Sequence, residues 1–141
     1  MIKFEKLPAD ILSRIPDVKK VLAEDSNVIF AYIFGGLTEG EPKPLSDIDI
    51  SVYLKSTDKL AEYKLDLFDK LADTLNTSEI DLIILNTTPI TITGRILQKK
   101  VILVDKNPPL RHTYESLMLR EFFDFRVKEE ALLSRRYGIG R

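Results

Sequence analysis

The 141-residue sequence predicts a single α/β domain, and three observations carry that reading. The run VIFAYIF, Val28 to Phe34, is apolar without polar alternation, as in a strand buried on both faces. Two further runs, DIDISVYL (Asp47 to Leu54) and EIDLIIL (Glu79 to Leu85), alternate apolar and polar residues, as in strands with one core face. Around them, apolar residues recur at spacings of three and four, the pattern of amphipathic helices that cover a sheet.

In chain order, a first helix is expected from Pro8 to about Asp25, with Ile11, Leu12, Ile15, Val18, Val21 and Leu22 on one face and Pro16 interrupting it. The Val28–Phe34 strand should be central, because only a central strand is covered on both sides. A loop with two prolines, Gly35 to Ser46, leads to the strand at Asp47–Leu54. Ser56-Thr57-Asp58 supplies helix N-terminal residues, and Leu60, Leu65, Leu67, Phe68, Leu71 and Leu75 carry that helix to about Asn76. The Glu79–Leu85 strand, a short helix at Ile90–Lys99 and a small strand at Val101–Val104 follow. Beyond Pro108-Pro109 a long helical segment is expected from about Leu110 to Arg135. No repeat or interdomain linker interrupts this order, so residues 1–141 read as one domain, with a core of about 10–105 and a C-terminal helical segment of about 110–136.

Composition narrows the function classes. Hydrophobic residues make up 44% and charged residues 30%, enough apolar material for a core and too much for a disordered chain. There is no cysteine, which excludes disulfides, thiolate nucleophiles and cysteine-ligated metals. No segment approaches the ~20 apolar residues of a membrane span, and the N-terminus has no secretory pattern, so the expected location is cytoplasmic with no membrane partner. Residues 1–86 hold 10 basic and 16 acidic side chains, whereas residues 111–141 hold 7 and 5. That mildly basic C-terminal part lacks the dense stripe of a duplex-binding protein, and no direct nucleic-acid partner is expected.

The chemistry concentrates in FGGLTEGEPKPLSDIDI, Phe34 to Ile50. Alternate residues of a strand share a face, so Asp47 and Asp49 point the same way, roughly 6–7 Å apart. Two carboxylates that close repel, and a bound divalent cation relieves the repulsion; hard oxygen donors suit Mg²⁺ or Mn²⁺. If the Asp81 strand lies beside this one with both isoleucine faces on one core, Asp81 joins the acidic face. Glu79 shares that face by alternation, but at the strand start it is expected to be solvated. Gly35-Gly36 at the end of the preceding strand allows a ligand to approach the backbone, whose N–H groups can cradle phosphate oxygens.

The motif Gly35-Gly36, ten residues from Leu37 to Ser46, Asp47-Ile48-Asp49, and a later Asp81 within IDLIILN resembles the minimal nucleotidyltransferases of the DNA-polymerase-β-like superfamily. The resemblance covers most of residues 10–105 and implies a two-layer fold, a small mixed sheet with helices packed on one side. It implies Asp47, Asp49 and Asp81 as catalytic metal ligands, with Gly35, Gly36, Lys43 and Ser46 as candidates for holding the nucleotide. The implied cofactor is Mg²⁺, with Mn²⁺ as a substitute, and the implied substrate is ATP. Prokaryotic members commonly act as antitoxins that transfer AMP to a tyrosine of a helical HEPN-type ribonuclease, the partner expected from a neighbouring gene. Two positions depart from the pattern: Gly36 stands where a serine is usual, and Glu39 where an arginine often follows. The chain is also short after the third aspartate, so the acceptor is expected on another chain.

Two rival functions stay open. One is a binding module of the same fold that inhibits its partner by complex formation alone; the other is an enzyme acting on a small hydroxylated acceptor, for which a homodimer would supply the cleft. Asp81 is either a metal ligand or the general base. His112, the only histidine, reads as a surface or capping residue, and Tyr114, Phe122, Phe123 and Phe125 read as core or interface. The pairs Lys99-Lys100 and Arg135-Arg136 read as solvated.

Overall fold

The structure is a computed structural model that describes residues 11–35 and 48–137. A 3-10 turn at Ile11–Arg14 leads into α1, Ile15–Glu24. Pro16 lies in its first turn, where a missing N–H costs nothing, so the proline begins this helix rather than interrupting it. Next come β1 at Val28–Gly35 and β2 at Ile48–Leu54. The helix α2, Leu60–Leu75, starts later than the Ser56 signal suggests. Ser56 Oγ instead accepts the Asp58 N–H in a tight turn (3.1 Å), and Lys59, with φ of 51°, stands at the helix start. The chain continues through β3 at Ile80–Ile84, α3 at Ile90–Lys99, β4 at Val101–Asp105 and α4 at Pro108–Tyr137.

The long helix begins at the double proline, not beyond it. Asn107 Oδ1 accepts the Leu110 N–H at 3.1 Å, so Asn107 caps the end and Pro108 and Pro109 occupy the first turn, where no N–H is needed.

The four strands form one mixed sheet in the order β3-β2-β1-β4. β1 runs antiparallel to both β2 and β4, while β2 and β3 are parallel. The parallel pair is bridged by α2, since parallel neighbours need a crossover connection. As expected, β1 is interior and buried on both faces: Ala31 and Ile33 join one cluster, Phe30 and Tyr32 the other.

The first cluster holds the expected helical layer. Val18 and Leu22 of α1 and Leu67, Leu71 and Leu75 of α2 pack on Ile48, Ile50, Val52, Ile80, Leu82 and Ile84. The helical layer does not stop there, because the second face is partly apolar and also needs cover. Ile96 and Leu97 of α3, with Tyr114, Met118 and Leu119 of α4, pack on Phe30 and Tyr32. Phe30 stacks on Tyr53 with centroids 4.8 Å apart, and Tyr114 tilts against both rings. α3 and α4 approach closely at Gly94, where a Cβ would stand 2.2 Å from the Phe122 ring. Only glycine permits that contact.

Candidate active site

The candidate site lies where β1 ends and β2 and β3 begin. Asp49 of β2 and Asp81 of β3 are direct Cα partners in the parallel ladder, which continues through Ile50↔Leu82 and Ser51↔Ile83. Paired residues of adjacent strands project to the same side, about 4.8 Å apart in backbone. The local sequence enforces this: burying Ile48, Ile50, Ile80 and Leu82 against α2 turns the intervening aspartates to the other face, since a one-residue slip would bury both. Asp49 is half-buried and Asp81 exposed. Gly35 ends β1 opposite Ile48, and Phe34 pairs with Asp49 on its other side. Asp47, Gly36, Lys43, Ser46 and Glu39 lie outside the described residues.

Below the two aspartates the face turns dry. Ser51 is fully buried, and its Oγ has no hydrogen-bond partner among the described residues. Burial first, then the hydrogen bond its hydroxyl donates to Glu115 Oε2 at 2.6 Å, pushes the Tyr32 hydroxyl well above its usual range. Burial likewise pushes Tyr114 up to about 12. Both phenols therefore stay neutral at physiological pH and serve as a rigid floor, not as acids or bases. The aromatic set divides here: Tyr114 and Phe122 are packed, whereas Phe123 and Phe125 are 49% and 38% exposed.

Three features were not legible at their true weight. Glu79 is only 6% exposed rather than solvated, and its Oε2 has no partner among the described residues; its carbonyl accepts the Ile48 N–H at 3.0 Å, which draws it into the ladder. Asn86, at the end of IDLIILN, clasps Leu54 through both backbone groups, accepting its N–H and donating to its carbonyl at 2.9 Å each. It ties the far ends of β2 and β3 together and so holds the register that pairs the aspartates. Finally, Arg111, in the first turns of α4, is buried, donating from Nε to Asp105 Oδ2 at 2.7 Å and from Nη1 to Glu115 at 3.0 Å. The bond to Asp105 is the first cause of its raised pKa. Lys100, expected to be solvated, lies 3.6 Å from Glu115 and over the Tyr32 ring. His112 is exposed, its Nε2 3.0 Å from Arg111 Nη2, so it is a surface residue as expected.

The donor set fits a hard divalent cation in its chemistry: Asp49 and Asp81 are carboxylates at paired positions of neighbouring strands, and hard oxygen donors suit such an ion. No group of three histidine, cysteine, aspartate or glutamate side chains converges for a metal among the described residues. No helix among those residues is long and apolar enough to cross a membrane.

The comparisons with known proteins agree with this fold. The family described as "Polymerase beta, Nucleotidyltransferase" matches residues 17–109, which includes all of both aspartate strands. No curated protein matches the sequence closely enough to count as a relative. Among solved structures, a complex of a tri-AMPylated Shewanella oneidensis HEPN toxin with an MNT antitoxin is similar with a TM-score of 0.68 and 18% identity, over 89% of this chain and 97% of that one. A mutant of the toxin–antitoxin MntA-HpeT is similar at 0.63 and 20% identity, over 89% and 94%. A toxin–antitoxin structure with AMP-PNP is similar at 0.61 and 21% identity, over 89% and 94%. At these identities the likeness is one of fold.

Proposed function

The chain belongs to the polymerase-beta nucleotidyltransferase family, and from that membership we propose that it transfers AMP from ATP to a hydroxyl, most naturally a tyrosine, of a helical HEPN-type toxin and so acts as its antitoxin. The observation that carries the reading is the in-register pairing of Asp49 and Asp81 across parallel strands beside the Gly35 corner. The fold shared with one complex of an AMPylated toxin and its antitoxin supports the choice of acceptor.

In this reading Asp47, Asp49 and Asp81 would together hold the divalent ions, Mg²⁺ or Mn²⁺, at the end of the sheet where the triphosphate and the acceptor hydroxyl meet. Bound divalent ions supply charge neutralisation and lower the pKa of the acceptor hydroxyl. Gly35 and Gly36 let the backbone meet the phosphates, and Lys43 and Ser46 contribute from the loop. The hydroxyl oxygen forms a bond to the α-phosphorus, the bond to the β-phosphate oxygen breaks, pyrophosphate leaves, and the hydroxyl proton passes to Asp81 or solvent. Position and charge do the chemistry, with no covalent intermediate on the protein. The buried Ser51 and Tyr32 beside the site favour those electrostatics by keeping water from that part of the sheet.

A second reading is favoured by Gly36 and Glu39: the missing hydroxyl and the added negative charge weaken triphosphate binding, so inhibition would rest on complex formation. Incubating the chain with Mg-ATP and the helical protein encoded beside it, then measuring that protein's intact mass, separates the two. Mass gains in units of AMP are expected; an unchanged mass within a stable complex rejects transfer in favour of binding.

A further inference from the structure

A nucleotide at the proposed site brings a triphosphate tail, and such tails are ordinarily clamped by lysine or arginine as well as by divalent ions. The loop after Gly35 is poorly supplied for this, since residues 36–47 contain Lys43 against Glu39, Glu41 and Asp47. Its net charge is negative, which works against holding the tail alone.

β1 ends at Gly35 between two neighbours. On one side is β2, where Asp49 pairs with Phe34; on the other is β4, whose first residue, Val101, pairs with Ile33. Lys100 therefore precedes β4 at the same end of the sheet as the aspartates, two strand spacings from β2, or roughly 10 Å. Its side chain also lies on their face. Nζ stands 5.7 Å from the centroid of the Tyr32 ring, and Tyr32 packs in the second-face cluster together with Phe34, the pairing partner of Asp49. Paired residues project to the same side of a sheet.

Lys100 is loosely held there. It reaches the Leu97 carbonyl at 3.5 Å and Glu115 Oε2 at 3.6 Å, long for charge-assisted contacts. Glu115 does not depend on it, because Arg111 Nη1 lies 3.0 Å from both carboxylate oxygens and the Tyr32 hydroxyl donates at 2.6 Å. Arg111, by contrast, is committed to Asp105 through Nε and to Glu115 through Nη1. With 22% of its side chain exposed and a flexible four-carbon stem, Lys100 can swing from Glu115 to an anion without stranding a carboxylate.

We propose that Lys100 binds the tail of the nucleotide, its ammonium contacting the β- or γ-phosphate where the triphosphate crosses the Gly35 corner from Asp49 toward β4. The phosphate chain and the lysine stem together bridge the two strand spacings. Lys100 thereby neutralises charge on the departing pyrophosphate. This rests on the nucleotide-binding part of the proposed function and not on the identity of the acceptor.

Titration of the full chain with AMP-PNP and Mg²⁺, beside AMP and Mg²⁺, followed by NMR, tests the assignment, because AMP has no tail. Lys100→Met keeps the stem over Tyr32 and removes the charge. It should weaken AMP-PNP binding about 10- to 100-fold, the loss of one charge-assisted hydrogen bond, and leave AMP binding unchanged. Lys100→Arg should restore most of the AMP-PNP affinity. In the wild-type chain the ε-methylene signal of Lys100 should shift with AMP-PNP and not with AMP, a readout that stands even if the Met variant folds poorly. A lysine that only completes the Glu115 cluster gives equal losses for both nucleotides in Lys100→Met and no shift at Lys100. That pattern overturns the proposal, as does wild-type AMP-PNP affinity in Lys100→Met. A wild-type chain that binds neither nucleotide overturns both the assignment and the proposed reaction. Lys100-dependent binding of AMP-PNP with no AMP passed from ATP to the helical protein encoded beside it supports the assignment and overturns the reaction alone.

Discussion

Asp81→Asn is expected to slow AMP transfer by about 10²–10³-fold, the loss that follows removal of one preorganised electrostatic group from a transfer site. The substitution keeps the shape of the side chain and removes its charge. Asp81 is exposed on the second position of β3 and takes no part in the core, so folding should survive. Relief of repulsion from the in-register Asp49 should leave the melting temperature in metal-free buffer unchanged or slightly raised. Initial rates and thermal melts on one preparation check both halves. Asp69→Asn, an exposed carboxylate of α2 away from the site, is the control and should transfer at the wild-type rate. An Asp81→Asn protein that is folded and transfers normally would remove Asp81 from the chemistry.

The second large effect is structural. Arg111→Met should destabilise the fold by about 3–5 kcal/mol, because it strands Asp105 as a poorly exposed carboxylate without its cation and takes one of two cations from Glu115. The cost should be larger than that of an exposed pair such as Arg126–Glu130, where an effect below about 1 kcal/mol is expected. Glu115 keeps Lys100 and the Tyr32 hydroxyl as partners, whereas Asp105 already has one buried oxygen unpaired and would lose its bond to Arg111 Nε. Urea unfolding of Arg111→Met beside the double variant Arg111→Met/Asp105→Asn checks the assignment: restoring part of the loss by neutralising Asp105 is expected. A change below about 1 kcal/mol in the single variant would show that the cluster does not anchor α4.

Most of this architecture was legible in the sequence because the deciding signals were periodic. The continuous apolar run of β1, the period-two strands β2 and β3, and the 3.6-residue spacing of α2 each correspond to a burial pattern that the packed helices impose. α3 at Ile90–Lys99 has the predicted bounds. Errors arose where local signals had two physical solutions. Pro16 and Pro108-Pro109 can end a helix or open one, and only the capping geometry at Asn107 decides the second case. Ser56 can cap a helix or close a turn. Glu79 looked solvated because position along a strand does not reveal what covers its end.

The site was legible in part. That Asp81 joins the acidic face, given a neighbouring strand, followed from matching the isoleucine faces to one core; the ladder makes the strands neighbours and sets Asp81 beside Asp49. The Arg111 cluster was not legible, because it joins β1, β4 and the first turns of α4 across more than 70 residues of sequence, with no motif to link them. Cover on the second face was hidden in the same way: the apolar residues of Phe30, Tyr32 and Tyr53 predict burial, but not which helix supplies it.

The most direct test of the central claim is a crystal of the chain soaked with Mn²⁺ and a non-hydrolysable ATP analogue, read by anomalous scattering. The account predicts manganese at roughly 2–2.5 Å from carboxylate oxygens of both Asp49 and Asp81, with the phosphates against Gly35. Manganese held by neither aspartate, or nucleotide bound on the opposite face of the sheet, would contradict it.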